Sequence, residues 1–533
     1  VLVPRRFSRH EHDWFTEERA AGADRRRIIV NTPQRNASPS PPSLWLCMVL
    51  TAMAGGMGWG IRGQYGHETG AMIAGVLVGL VLLLLFGRGT TSLTAARAAA
   101  MFALGISIGG CMTYGQTVGL THNGSLVGNW EALRWGLTGL FLKGGIWIGF
   151  AGVFFGMALS GRRYRPLEVG LLLLVMVFLI FLGLHLFNMP FNPAEQRLPR
   201  IYFSEHWYWK TDAELQPRPE QWGGLLVALI GMVVYAGVAR RDWLAVWLAF
   251  WGFLAGGAGF SLGQSVQAFH AWNTDWFRQG WFGTIEPYMN WWNMMEITFG
   301  AVFGAILALG VWLNRRSIHP PQGEDQIALP PGAEWLLLLV HLLAVAAWNF
   351  GQFYYLDVFA NVALTMIIIP MMAVLAGRLW PYFVTLPVVA APIAGKTFRA
   401  LTSDIGSAND AITEQILTLG TPLAAYVVLP VMITVVAAVY FAREAAQPLS
   451  AGRYLRWALL VCSWLYFGLN FAFFNFPWPW GEWTGRTPSG IIFTVCLLGL
   501  TAAALLVGRK DKSSAATVGE TPRTDEPLSP PAV

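Results

Sequence analysis

The chain has 533 residues, 55% of them hydrophobic and 12% charged, with a mean hydropathy of +0.47 and a formal net charge of +6. Soluble domains carry about 25% charged residues. Half that density, with repeated apolar runs of roughly 20 residues, excludes an ordinary soluble enzyme and reads as an all-α, polytopic integral membrane protein. Alternating segments of about 10 residues are lacking, which excludes a β-barrel, and the positive charge sits largely in short loops and tails, which excludes nucleic acid as the partner.

Residues 1–43 read as a polar, basic tail, with Arg5, Arg6, Arg9 and Arg25-Arg26-Arg27 and a closing Pro/Ser stretch. No apolar core follows within the first 30 residues, so this is not a signal peptide. A disordered cytoplasmic tail is the expectation, and a basic arm on anionic lipid is the sharper alternative. Residues 44–318 form a first membrane half, 319–334 a Pro-containing cytoplasmic linker, 335–508 a second membrane half and 509–533 a polar tail.

About fourteen spans begin near Leu44, Glu68, Ala98, Leu140, Leu167, Trp222, Trp243, Trp292, Trp335, Val358, Leu379, Ile416, Leu455 and Gly490. Threaded with the N-terminus inside, cytoplasmic segments collect 25 of the 36 lysines and arginines. Both termini are therefore expected in the cytoplasm, and the chain in the cytoplasmic (inner or plasma) membrane.

One short pattern recurs. Gly115-Gln116 leads to His122-Asn123, and Gly263-Gln264 leads to His270 with Asn273 beyond it. A looser copy runs from Gly55 through Arg62-Gly63-Gln64 to His67 and Glu68. In each, an apolar, glycine-rich helix is expected to run out into the Gly-Gln pair, and another apolar segment ending on arginine follows. Lys143 to Arg162-Arg163 has the same spacing as Glu296 to Arg315-Arg316, so the reading is an internal repeat of a two-helix unit. The threading puts all three copies on the extracytoplasmic side.

These copies supply the candidate substrate-binding residues: Arg62, Gln64, His67, Glu68, Gln116, His122, Asn123, Gln264, His270, Asn273, Glu296 and Lys143. Arg62 among glycines suits an anion or carboxylate; close helix packing is the plainer role of the glycines themselves. His122 and His270, at matching positions, suit hydrogen bonding or proton relay. With His67 and Glu68 they would also make a transition-metal set, although no closely spaced histidine pair supports one. Lys143 and Glu296 occupy equivalent positions with opposite charge, and face-to-face repeats would pair them. Snorkelling explains Lys143 more plainly; Glu296, beside Met294, Met295 and Ile297, is harder to explain that way.

Two further features stand outside the repeat. Roughly half of the 26 tryptophans fall in outer segments, as in Trp478-Pro-Trp480-Gly-Glu482-Trp483, where an interfacial belt is the plain reading and a sugar platform the sharper one. The Lys396–Gln415 stretch carries Arg399, Asp404, Asp410 and Glu414, with helix capping by Asp410 the plain reading. Cys47, Cys111, Cys462 and Cys496 all lie in apolar runs, and no Walker A or haem motif calls for a cofactor.

The first functional expectation is a secondary transporter or channel for a small polar or anionic solute. The alternative is a membrane-embedded transferase or ligase acting at the outer face on a lipid or lipid-linked glycan. A scaffold subunit comes third. Membrane lipid is the one sure partner; protein partners are not indicated, and whether the chain is an enzyme is left open.

Overall fold

The computed structural model describes residues 42–210, 216–319, 327–350, 364–402, 420–445, 450–475, 479 and 481–507, without the side chains of Glu68, 344–350 and 364–366. Both tails lie outside this set but for Pro42 and Ser43, as do Asp404, Asp410, Glu414, Trp478 and Trp480.

Helices begin where a short polar side chain can take an orphan backbone N–H. Ser43 accepts from Leu46 and opens Leu44–Arg62 (α1). Thr91 accepts from Thr94 and opens Ser92–Ile108 (α3), which follows Glu68–Phe86 (α2). After the short helix Gly115–His122 (α4), Asn129 accepts from Glu131 and Ala132 and opens Trp130–Leu159 (α5). Pro166–Phe187 (α6) and Trp222–Val234 (α7) follow, then Asp242 caps Trp243–Trp272 (α8) through Ala245. Two short turns, Thr274–Phe277 (α9) and Gly280–Ile285 (α10), precede Trp291–Leu313 (α11), capped by Asn290. The chain continues as Pro331–Phe350 (α12), Leu364–Ala376 (α13), Trp380–Thr385 (α14), Pro387–Thr402 (α15), Leu429–Arg443 (α16), Ala451–Phe473 (α17) and Thr487–Leu506 (α18). No strand occurs among the described residues, only an isolated bridge between Asn192 and Arg197.

Among the described residues eleven helices are long and apolar enough to cross a membrane, α7 and α16 counting with the adjoining turns that extend them to Trp222–Ala239 and Gly420–Arg443. The sequence-read starts near Ala98 and Leu140 fall late, because the caps at Thr91 and Asn129 draw the preceding polar turns into the helices. The starts near Trp335, Val358 and Leu379 correspond to α12, to α13 and to the α14–α15 pair, which Pro387 divides; Val358 itself lies outside the described residues.

Glycine sets the helix spacing in the core. A Cβ at Gly300 would stand 2.1 Å from the Gly55 carbonyl oxygen, and one at Gly55 would stand 2.1 Å from that of Gly300. The same backbone contact joins α5 to α8, where a Cβ at Gly256 would lie 2.0 Å from the Gly144 oxygen. In lipid no hydrophobic force drives helices together, so such close approach, with its dispersion gain, is what holds the seam. Trp59 fills the centre, with ring centroids 5.1 Å from Trp147 and 4.3 Å from Phe299.

The bundle has two unlike ends. At one, Arg88 donates to the Val507 carbonyl, Arg378 to those of Ala442 and Arg443, and Trp312 to that of Pro42. The first and last described residues therefore share this arginine-bearing end. The other end gathers the C-terminal ends of α1, α8, α15 and α17 with the N-terminal ends of α2, α5, α11 and α18; there Tyr65 bonds Thr397, and Thr397 bonds the Leu469 carbonyl.

Gly300→Ala forces overpacking at the α1–α11 contact and should cost about 1–3 kcal/mol. Gly468→Ala places its methyl where nothing lies within 4 Å and should be neutral or slightly stabilising. Thermal unfolding of the two variants in detergent reads the contrast; equal midpoints would contradict it.

Candidate functional site

Arg62 ends α1 and is buried, as is Glu296 in α11, with 3% and 2% of their side chains exposed. The guanidinium lies 4.7 Å from the Trp59 ring centroid and 5.3 Å from that of Trp147. Its Nη2 donates to the Tyr114 hydroxyl at 3.0 Å and stands 3.9 Å from Glu296 Oε1, an ion pair that stops short of a hydrogen bond. Glu296 accepts from Asn293 Nδ2 at 3.0 Å and from Trp292 Nε1 at 3.3 Å, and Asn293 also donates to the Gly60 carbonyl at 2.8 Å. Gly63 makes room for the carboxylate, since a Cβ there would meet Glu296 Oε2 at 2.5 Å.

His67 stands between α1 and α2. As a residue it is exposed, but its Nδ1 turns inward to the Tyr114 hydroxyl at 3.0 Å and to Arg62 Nη1 at 3.4 Å. Arginine only donates, so Nδ1 is the acceptor and the neutral ring carries its proton on Nε2. Burial of the ring, then the charges of Arg62 and Lys396, push its pKa down from 6.5 to about 4. Gln64 makes no side-chain hydrogen bond among the described residues, and the Glu68 side chain lies outside them.

Lys143 and Glu296 do not pair. Lys143, 1% exposed, donates to Glu220 Oε1 at 2.6 Å, to Thr117 Oγ1 at 2.7 Å and to the Thr113 carbonyl at 2.7 Å. Glu220 accepts in turn from Ser204 Oγ, the Phe203 amide and Trp222 Nε1. The repeat register is not what selects partners here. The stretch joining α6 to α7 carries Glu220 down to Lys143, and the end of α1 brings Arg62 to Glu296. Each ion meets the nearest charge able to follow it out of water.

The three Gly-Gln copies adopt three local structures. The first ends a helix, the second forms the separate α4, and the third lies inside an unbroken α8, where a helix end was expected. No glycine or proline stands between Gln264 and Trp272, and Gln267 and Ala268 favour helix, so α8 runs on to Trp272. The copies do meet, though not through their histidines. Gln264 Nε2 donates to Thr121 Oγ1 at 2.7 Å, and Trp272 Nε1 donates to the Thr121 carbonyl at 2.9 Å.

The remaining candidates are dispersed. His122 Nδ1 bonds the Val118 carbonyl, while His270 bonds Glu286 at 3.2 Å and stacks on Trp291 at 4.2 Å. Among the described residues no group of three or more His, Cys, Asp or Glu side chains gathers as metal ligands would, so the set of His67, His122 and His270 is not assembled. Gln116 donates to the Gln216 carbonyl, Asn123 to Glu205, and Asn273 to the Phe269 carbonyl of its own helix. Gln116 and Asn123 thus hold the α6–α7 connection, and Asn273 closes α8.

No protein-family model, curated protein or solved structure matches the chain. Function rests on the site alone.

The reading from sequence did not single out Tyr114, Asn293 or Glu220. Tyr114 directly precedes the second Gly-Gln pair, and Asn293 lies three residues before Glu296; polar neighbours of an intramembrane acid were the available signal. Glu220, distant in sequence from Lys143, offered none.

Lys143→Met leaves Glu220 buried without its cation and should cost about 3–5 kcal/mol; adding Glu220→Gln should recover a large part. Thermal unfolding of the single and double variants decides this, and equal losses would deny the pairing. His67 gives a pH signature. The unfolded chain binds its proton near 6.5 and the folded protein only near about 4. Its contribution to stability is therefore complete above about pH 6.5 and falls as pH drops toward about 4. His67→Gln should flatten that part of the unfolding-midpoint profile; an unchanged slope would place the ring's titration elsewhere.

Proposed function

We propose that the protein is a secondary transporter for a small polar or anionic solute, working in the cytoplasmic membrane with its arginine-bearing end and both termini inside. The observation that carries this is the Arg62–Glu296 pair. Two opposite charges inside a membrane bundle are costly, and a pair that approaches only to 3.9 Å, unlike Lys143 and Glu220 at 2.6 Å, is poorly suited to a purely structural role. Binding-site arginines and carboxylates held by aromatic faces and amides suit a solute that can come between them.

The recurring Gly-Gln segments are consistent with the same reading: Arg62 donates to Tyr114, just before the second segment, and Gln264 of the third donates to Thr121 of the second. In this reading α12, α13 and the α14–α15 pair cross the membrane beside the eleven long helices, an even number of crossings that would keep both chain ends on one side. The backbone contacts at Gly55 and Gly300 leave no passage along α1 and α11. Alternating access is thus the mode rather than a standing pore.

Uptake of labelled small solutes into proteoliposomes tests this, with Glu296→Gln and Arg62→Lys beside wild type. Each variant should lower uptake roughly tenfold or more while remaining folded, as expected for loss of one charge-assisted contact. Uptake that ignores both changes would remove the site. Turnover of a lipid-linked glycan without net flux would replace transport by transferase chemistry.

A further inference from the structure

A second polar feature lies beside Glu296. Where α18 begins, a cavity opens between Gly60 of α1, Asn293 of α11, Asn470 of α17 and Ser489 of α18, with Arg486 on its wall. It is narrow, offering about 10 Å³ to the centre of a water-sized occupant, which is room for about one. Gly60 keeps it open against Phe493, whose ring a Cβ would meet at 2.6 Å.

Two groups in its lining are buried and unsatisfied. Asn470 Nδ2, 4% exposed as a residue, and Ser489 Oγ, 2% exposed, have no hydrogen-bond partner among the described residues. Asn470 lies beside the Tyr65 hydroxyl, which bonds Thr397, and its Nδ2 stops short of hydrogen-bond geometry with that oxygen. An unmet buried donor is costly, so an occupant that accepts hydrogen bonds is favoured there.

The surrounding charge selects the occupant. Arg486 caps the 20-residue helix α18 and stands with its guanidinium 4.2 Å from the Phe474 ring centroid, on the helix's positive end. A water could meet Asn470 and Ser489 but carries no charge. An anion accepts from both and also answers the guanidinium and the helix end. Glu296 shares the field of Arg486, which disfavours multiple negative charge. We infer that the cavity at the start of α18 binds a monovalent anion of halide size.

This inference rests on the transport reading only in naming the solute class; the binding site stands by its own geometry. The test uses the full chain, purified in halide-free gluconate buffer, with labelled chloride as the probe and bromide, nitrate and sulfate as competitors. Wild type should bind chloride saturably, bromide should displace it and sulfate should not. Arg486→Gln should weaken binding roughly tenfold or more. Ser489→Ala, which removes one donor and adds no bulk, should weaken it less, and its unfolding midpoint should rise with chloride by less than that of wild type.

Absence of saturable binding to folded wild type would mean that a water alone fills the cavity and would overturn the inference. Binding unaffected by both substitutions would also overturn it, placing the anion elsewhere. Labelled chloride flux in proteoliposomes is the separate arm. Saturable binding without flux leaves the site standing and removes chloride as the transported solute, whereas flux insensitive to Arg486→Gln counts against the site and leaves transport intact.

Discussion

Contact of backbone on backbone is the constraint from which this bundle follows. With Gly55 against Gly300 and Gly144 against Gly256, α1 meets α11 and α5 meets α8 at a distance no other residue would permit. In a medium that gives apolar side chains no reason to associate, such seams supply the dispersion contact that burial supplies in water. They also fix where the polar groups land. Arg62 lies seven residues beyond Gly55, and Glu296 four residues before Gly300, so the seam brings the cation and the acid to the same level.

Two buried cations then illustrate two outcomes of the same cost. Lys143 has three oxygen partners at hydrogen-bond distance, a full complement for an ammonium group. Its acid is likewise held by neighbouring donors, and the arrangement is closed. Arg62 lies against aromatic faces, a tyrosine hydroxyl and a histidine nitrogen, and Glu296 stands 3.9 Å from it. Aromatic faces stabilise a guanidinium without occupying its in-plane donors. The first centre holds parts of the chain together, and the second is the one on which the proposed function rests.

The class of fold was legible from hydropathy because a span must satisfy its own backbone, and long apolar helices do so. Charge placement along the chain likewise indicated which loops share an end. Arg62, His67 and Glu296 also stand out in the sequence, since ionisable residues are conspicuous among glycine and methionine, and the structure brings Arg62 close to the other two. Their partners were not legible. Tyr114 and Glu220 reach the buried cations from connections between helices, and nothing in local periodicity encodes such a long-range meeting. Asn470 was overlooked because a single amide in an apolar run looks inert until its neighbours are known. The Gly-Gln copies misled in one respect, because the same residues end a helix in α1 and continue one in α8; the flanking turn, rather than the motif, decides.

The connection between α6 and α7 is more than a cover over one end. Glu220 inserts from it to Lys143, Asn188 accepts from the Gly223 amide at its far side, and the Tyr202 carbonyl takes the indole N–H of Trp135 on α5. It is therefore rivetted to α5, whose opposite face forms the glycine seam with α8. Any sliding along that seam must drag the connection with it. A surface segment is thereby tied to an internal joint, and whatever holds the one limits movement at the other.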